Sequence, residues 1–457
     1  MAKLTFYGGA LSVTGSNYLI ETKKSKVLVD VGMFQGGAAQ RKKNYKKFPY
    51  DPKNIDAVCI THAHIDHTGR LPKLVKDGFN KQIYATEPTV GLSAVMLKDS
   101  AHIIAEEMPP GEKPLYSIGD VKRTARHFQG IAYNKEVRVT DDIRVRFRDA
   151  GHILGSAIIE VFVKEDNKET KIVFSGDLGN PPSPLLNLPT LIDGADYVLV
   201  ESTYGNRRHE DRQARREFLE NAIEDTVTEG GILMVPAFAL ERTQEMLFEL
   251  NSLVEHNRIP NVPIFIDSPL AIDATKVYAR SDKYFSKRAK YLIERGDDLF
   301  NFPNLKFTYT TEESKKINDV PPPKVILAGS GMSTAGRILH HERRYLRDPK
   351  STLLIVGYQA EGTLGRKLLD GAKTVRLFGE KIPVRAHIRA IGGYSAHADK
   401  DALFTWVNHI RRSNPQRLKK VFCVQGEREA AKALATKFHD FMAIDAVVPK
   451  PGDVFKF

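Results

Sequence analysis

Cysteine is nearly absent: Cys59 and Cys423 are the only two in 457 residues. Two thiols cannot build a disulfide framework for so long a chain, which points to a reducing, cytoplasmic setting. Both sit in apolar runs, Ala57-Val58-Cys59-Ile60 and Val421-Phe422-Cys423-Val424, and are expected to be small buried hydrophobes. No stretch of about 18 apolar residues occurs, so no membrane span is expected. The N-terminus has no signal-peptide pattern, because the residues after Lys3 are broken by Gly8, Gly9, Ser12, Thr14, Gly15, Ser16 and Asn17. There is no fixed-period repeat and no long low-complexity tail. Neither glycine-rich segment, 329–337 or 357–366, fits the Gly-x-x-x-x-Gly-Lys-Ser/Thr loop of an NTPase.

Acidic residues are in deficit: 68 Lys and Arg against 56 Asp and Glu leave a net charge of +12. That balance suits a polyanionic partner, since Lys and Arg displace the counterions of phosphates, although many basic proteins have no such ligand. Apolar content of 42% and charged content of 27% are those of a globular protein. The length fits two to three domains of about 150 residues. Short β-branched runs that stop at Gly, Asp, Ser or His recur, as at 27–31, 55–61, 171–177 and 197–201, and read as buried strands. Helical patterns lie between them, at 210–229 with Phe218, Leu219, Ala222 and Ile223, and at 241–254. The chain is therefore α/β. The region 205–380 has strand–helix alternation of its own, beginning at 231–236, 262–267 and 324–329, and reads as a second α/β domain. Pro321-Pro322-Pro323 marks a surface connection inside it.

The densest chemical signal is Thr61-His62-Ala63-His64-Ile65-Asp66-His67-Thr68-Gly69, between a strand and the helix that starts at Leu71. Three of the fourteen histidines and a carboxylate fall in this run. Imidazole and carboxylate suit Zn²⁺. In a turn leaving a strand, His62 and His64 point one way, and Asp66 and His67 can point to a second, adjacent position. Other strand ends supply candidates beside glycines: His152 in Asp149-Ala-Gly-His-Ile-Leu-Gly155, Asp177 in Phe174-Ser-Gly-Asp-Leu-Gly179, and Asp30 after Val27-Leu-Val. Singly, His152 reads equally as a core histidine, and Asp30 and Asp177 as turn or cap residues.

The ordered set Asp30, His62-x-His64-x-Asp66-His67, His152 and Asp177 resembles the metallo-β-lactamase fold. Glu201-Ser-Thr-Tyr-Gly205, Pro236-Ala-Phe-Ala-Leu-x-Arg-Thr-Gln-Glu245 and Gly393-Tyr-Ser-Ala-His-Ala-Asp399 resemble its β-CASP branch of RNA- and DNA-cutting nucleases. The resemblance implies a four-layer αββα domain formed by 1–204 and 381–457. A β-CASP cap domain would be inserted at 205–380, with the active site in the cleft between them. It implies two Zn²⁺: one held by His62, His64 and His152, the second by Asp66 and His67, with Asp177 bridging. Asp30 would orient the ligand loop. The family's last ligand is a histidine in Val-His-Gly-Glu, whereas this chain has Val424-Gln425-Gly426-Glu427. An amide is a weaker zinc ligand than imidazole, so weaker occupancy of the second position is expected. The DNA-cutting members also lack histidine there.

Two such ions about 3.5–4 Å apart would activate a water and clamp phosphoryl oxygens. Asp66 would take up a proton or hold that water, His397 would serve as general acid, and Glu201 would support the His397 imidazolium. By themselves the residues around His397 read first as a cap for the helix that begins near Asp401, and it is the resemblance that favours the acid role. Arg242, Arg337 and Arg366 are the expected phosphate contacts, Ser330 lies in a candidate backbone nest, and Tyr358 is a base-stacking candidate. The basic run Arg41–Lys47 reads as either an RNA contact or a solvated loop. His340 and His341 are expected at the surface. The expected function is RNA hydrolysis, endonucleolytic and also 5′-to-3′ exonucleolytic, with single-stranded RNA as partner and a homodimer left open. The competing readings are a DNA nuclease of the same fold, an inactive RNA-binding scaffold, and a small-molecule hydrolase.

Overall fold

The computed structural model describes residues 1–108, 111–166, 168–180, 183–209, 215–391 and 395–457. The expected helix over 210–229 and the Gly393–Asp399 motif thus lie partly outside the described residues. The chain divides into two compact units, Met1–Arg208 with Ala396–Phe457, and His209–Ser395. Among the described residues, no helix is long and apolar enough to cross a membrane.

The first unit holds two seven-stranded sheets. One runs in the order Val454–Lys456, Lys3–Gly8, Asn17–Glu21, Lys26–Val29, Ala57–Cys59, Gln82–Thr86, Phe128–Ile131. The other runs Ala446–Val447, Lys420–Val424, Tyr197–Glu201, Lys168–Phe174, Ala157–Glu165, Ile143–Asp149, Glu136–Arg138. Residues two apart on a strand share a face, so each strand contributes to two cores. Inward residues of both sheets, among them Phe6, Val27, Val29, Phe147, Ile159 and Phe174, form one cluster. The alternate residues Leu28, Val58 and Ile83 pack on Leu71 and Leu74 of the helix Leu71–Lys76. On the other sheet Val173, Val198 and Val421 pack on Trp406 of the helix Lys400–Ser413 and Phe438 of the helix Arg428–Met442. Helix, sheet, sheet and helix make the αββα sandwich that the motif order implied. Cys59 and Cys423 are buried in these layers, as expected of small hydrophobes.

The second unit is a six-stranded sheet in the order Leu305–Phe307, Ile264–Asp267, Lys324–Ala328, Ile232–Pro236, Thr352–Ile355, His387–Ala390. Every pairing in it is parallel. Its edge strand His387–Ala390 carries this unit on to 395, past the 380 expected from the sequence. Met234, Ile326 and Leu353 are buried with Ile338 of the helix Ile338–Tyr345. His341 departs from expectation. It is buried, and its Nε2 lies 2.8 Å from the Asp267 carboxylate, because position 341 falls on the sheet-facing side of that helix. Phe218, counted with the apolar face of its helix, is instead exposed.

Gly32 shows how tightly the first unit is closed behind residues 62–67. A Cβ added there would stand 1.5 Å from the carbonyl oxygen of Asp66. At Gly357 a Cβ would meet nothing within 4 Å. Gly32→Ala is therefore expected to cost roughly 3 kcal/mol or more in chemical denaturation, with Gly357→Ala within about 1 kcal/mol of the parent. Equal midpoints for the two variants would contradict this packing.

Candidate metal centre and hydrolytic site

The site gathers where strands end. Asp30 follows Lys26–Val29, and the run 62–67 follows Ala57–Cys59. Asp177 follows Lys168–Phe174, Glu201 closes Tyr197–Glu201, and Gln425 follows Lys420–Val424. His152 lies in the turn between Ile143–Asp149 and Ala157–Glu165. Parallel strands bring these ends to one edge, which is why residues almost 400 positions apart can meet there.

One donor set is tight. His62 Nε2 lies 3.0 Å and His152 Nε2 3.3 Å from His64 Nδ1, and the Asp177 carboxylate lies 3.4 Å from His62 Nε2. The ligand atoms of all four residues fall within 4.8 Å of one another. His152 Nδ1 is 3.0 Å from the Ala396 carbonyl and donates to it, which leaves the lone pair on Nε2 facing inward. Burial keeps the three rings neutral. It holds His62 and His152 well below the ordinary histidine value and His64 at about 4. Asp177 Oδ1 is buried without a hydrogen-bond partner among the described residues. Converging lone pairs of neutral imidazoles beside a carboxylate repel one another unless a cation lies among them. Ligands of tetrahedral zinc at about 2.0–2.1 Å stand about 3.3 Å apart, so the donor set fits that ion.

A second position adjoins the first. His67 Nε2 lies 3.5 Å from Asp177 Oδ2, 3.6 Å from Asp66 Oδ2 and 2.9 Å from Gln425 Nε2. Buried Asp30 anchors this side. Its carboxylate accepts from Thr61 N at 2.8 Å, Ser16 Oγ at 3.0 Å and His67 Nδ1 at 2.7 Å. The Thr61 hydroxyl adds a further bond to Asp30 at 2.9 Å and lies 3.1 Å from His62 Nδ1. Thr61 thus couples the Asp30 anchor to the first ligand, a role its place at a strand end did not announce. Burial opposes a charge on His67, while Asp177, Asp30 and Asp66 together raise its pKa well above the ordinary value. The close approach of the Gln425 amide nitrogen, however, fits only a lone pair on Nε2. Asp66 is pushed up to about 6, chiefly by burial.

The remaining pair is Glu201 and His397. Glu201 is fully buried, with Oε1 taking the Leu178 N–H at 2.6 Å and Oε2 lying 3.1 Å from His397 Nδ1. Burial disfavours the His397 cation, but Glu201, Asp177 and Asp66 outweigh it and lift the ring to about 9. Burial also pushes Glu201 above its ordinary value, against the pull of His397. The helix cap foreseen beside His397 is present as well: Asp399 accepts from the N–H groups of Asp401 and Ala402. The cap reading of this segment thus belongs to Asp399.

In the second unit, two expected phosphate contacts change role. Arg242 is buried and ion-paired with Glu245. Arg337 donates to the fully buried Asp267 at 2.7 Å and to the carbonyls of Thr308 and Tyr309. Asp267 also accepts from Thr308 Oγ1 and Ser314 Oγ, and against its burial the His341 ring, Ser314, Thr308 and Arg337 together hold it at about 2. The loop 329–337 closes on itself, since Ser330 Oγ accepts from the N–H groups of Thr334 and Ala335. Those N–H groups are therefore not turned outward as an anion nest. Arg366 is exposed beside Asp370, and Tyr358 is exposed. Phe238, also exposed, lies against Gly331, where an added Cβ would be 2.6 Å from its ring. It was legible only as one residue of the Pro236–Glu245 motif.

Residues 13–203 match the metallo-beta-lactamase superfamily, 243–368 the Beta-Casp domain, and 381–449 the Zn-dependent metallo-hydrolase RNA specificity domain. Ribonuclease TTHA0252 of Thermus thermophilus is 40% identical over 94% of this chain and 94% of its own. An RNase J-like protein of Methanocaldococcus jannaschii is 32% identical over 99% of each chain. Transcription termination factor FttA of Methanosarcina mazei is 31% identical over 97% of this chain and 70% of its own. A crystal structure of a protein of unknown function from Enterococcus faecalis V583 shares the fold, with a TM-score of 0.55, 12% identity and 99% coverage of both chains.

The Glu201–His397 contact predicts a signed shift. Glu201→Gln removes the charge that favours the imidazolium, so the His397 pKa should fall by about one unit or more, read by NMR titration of the ring. An unmoved titration would remove Glu201 from this role.

Proposed function

Because the chain belongs to the β-CASP family of metallo-β-lactamase-fold hydrolases, we propose that it is a zinc-dependent ribonuclease. The observation that carries this reading is the inward convergence of His62, His64, His152 and Asp177, with Glu201 and His397 beside them. His62, His64, His152 and Asp177 would hold one ion. Asp66 and His67, with Asp177 shared, would hold a second. Bound there, zinc supplies Lewis acidity that acidifies a water and offsets charge on phosphoryl oxygens.

The chain's own groups complete the proton inventory. The attacking water oxygen bonds to phosphorus as the bond to the leaving oxygen breaks. Asp66, poised near neutrality, accepts the water's proton. His397, charged at pH 7 and held through Nδ1 by Glu201, gives the Nε2 proton to the leaving oxygen. Tyr358 and Phe238 offer exposed rings for base stacking, and Arg366 a cation for phosphate. RNA is favoured over DNA by the match of 381–449 to an RNA specificity domain and by the names of the relatives. Gln425 in place of histidine is the one feature that keeps a DNA nuclease as a second reading. Endonucleolytic cutting is the primary mode proposed, with 5′-to-3′ trimming as a second. A cytoplasmic location and a homodimer complete the proposal.

End-labelled single-stranded RNA and DNA of one sequence, with and without a chelator, test it. RNA should be cut and DNA spared, with chelator abolishing the reaction. The length ladder separates endonucleolytic from exonucleolytic products. His64→Ala should lower both cutting and bound zinc. His397→Ala should lower cutting by about 10²–10⁴-fold while leaving zinc in place. Full-rate cutting by His397→Ala would remove it from the acid role.

A further inference from the structure

Gln425 stands where the second metal position needs a lone pair, and the geometry around it shows which end of its amide faces inward. Its backbone is held in a left-handed conformation (φ +47°), with its N–H on the Gly9 carbonyl at 2.6 Å and its carbonyl taking the Thr203 hydroxyl at 3.0 Å. The side chain is buried and backed by Gly9, where an added Cβ would lie 2.4 Å from Gln425 Oε1. The amide nitrogen has two neighbours, His67 Nε2 at 2.9 Å and the Val13 carbonyl at 3.4 Å. Turning the amide round would set its oxygen against the Val13 carbonyl oxygen and against the His67 ring nitrogen. The Val13 carbonyl can only accept, so the N–H end belongs there, and Oε1 is left buried without a hydrogen-bond partner among the described residues. The other His67 nitrogen is committed to Asp30 at 2.7 Å, which fixes the ring proton on Nδ1 and the lone pair on Nε2. A proton on Nε2 as well would set two donors against each other at 2.9 Å.

We infer that Gln425 is a hydrogen-bond stopper on His67, not a ligand, so that the first position binds zinc tightly and the second fills only when this hydrogen bond opens. An amide nitrogen has no lone pair to offer a cation, and the one that His67 would offer is covered. The inference deepens the metal-hydrolase reading of the same site and rests on it. It gives Gln425 a specific consequence: the chain retains one tightly held ion, with Asp66 and His67 the more weakly occupied side.

Zinc content after exhaustive dialysis and calorimetric zinc titration, on the full chain, decide the matter without recourse to activity. Wild type should retain one zinc per chain and bind a second more weakly. Gln425→Ala and the volume-conserving Gln425→Met uncover His67, and should tighten that second binding by about tenfold, the worth of one buried hydrogen bond. Gln425→His should retain two. Thermal melts of the variants check that they remain folded. Weaker second binding in both Gln425→Ala and Gln425→Met would make Gln425 a ligand through its oxygen and overturn the inference. Two zincs retained equally by wild type and Gln425→His would overturn it too, leaving the hydrolase reading intact. No zinc retained by wild type, with none bound on titration, would overturn both.

Discussion

Neutral imidazoles do not crowd their lone pairs together in a dry interior without cause. His62, His64 and His152 bring ring nitrogens to 3.0 and 3.3 Å with a buried carboxylate among them, and burial denies them the protons that would otherwise relieve the contact. A cation at the centre would turn that repulsion into attraction. The surrounding fold holds the donors in place for it. Asp30 anchors Thr61 and His67, the Ala396 carbonyl orients His152, and Gly32 lets the backbone pass close behind Asp66.

The same low-dielectric setting gives the acidic and basic groups different tasks. Asp66 is raised toward neutrality because burial penalises its charge and Asp177 adds to the penalty, which suits a group that takes up a proton. His397 is raised instead, because a buried carboxylate faces it, which suits a group that gives one up. In the proposed reaction, the environments of these two groups would separate acceptor from donor.

The second unit illustrates a different use of buried charge. Asp267 collects His341, Arg337, Thr308 and Ser314 at the end of a parallel strand, tying the helix Ile338–Tyr345 and the loop before it to the sheet. Arginines that a sequence reading assigns to phosphate are here partners of carboxylates. Tyr358 and Phe238 are exposed, and Arg366 is exposed beside its own carboxylate partner, Asp370.

Much of the first unit was legible in the order of residues alone. A strand followed by His62-x-His64-x-Asp66-His67 announces a metal loop, because few other demands place so many ligands in one turn. His152 and Asp177 became legible through the motif order, since singly each is ambiguous. The unbroken β-branched runs announced buried strands for a physical reason: a sheet packed on both faces must be apolar on both. The sequence was silent wherever the partner is distant in the chain. Arg242 and Arg337 could not be told from phosphate contacts, because a guanidinium looks the same whether its carboxylate is folded against it or absent. His341 passed for a surface residue because its partner, Asp267, lies on another strand. Gln425 was readable as a lost histidine, but not as a donor. Which end of an amide faces a ring depends on the carbonyl of Val13 and the commitment of His67 to Asp30, and only the folded chain brings those together.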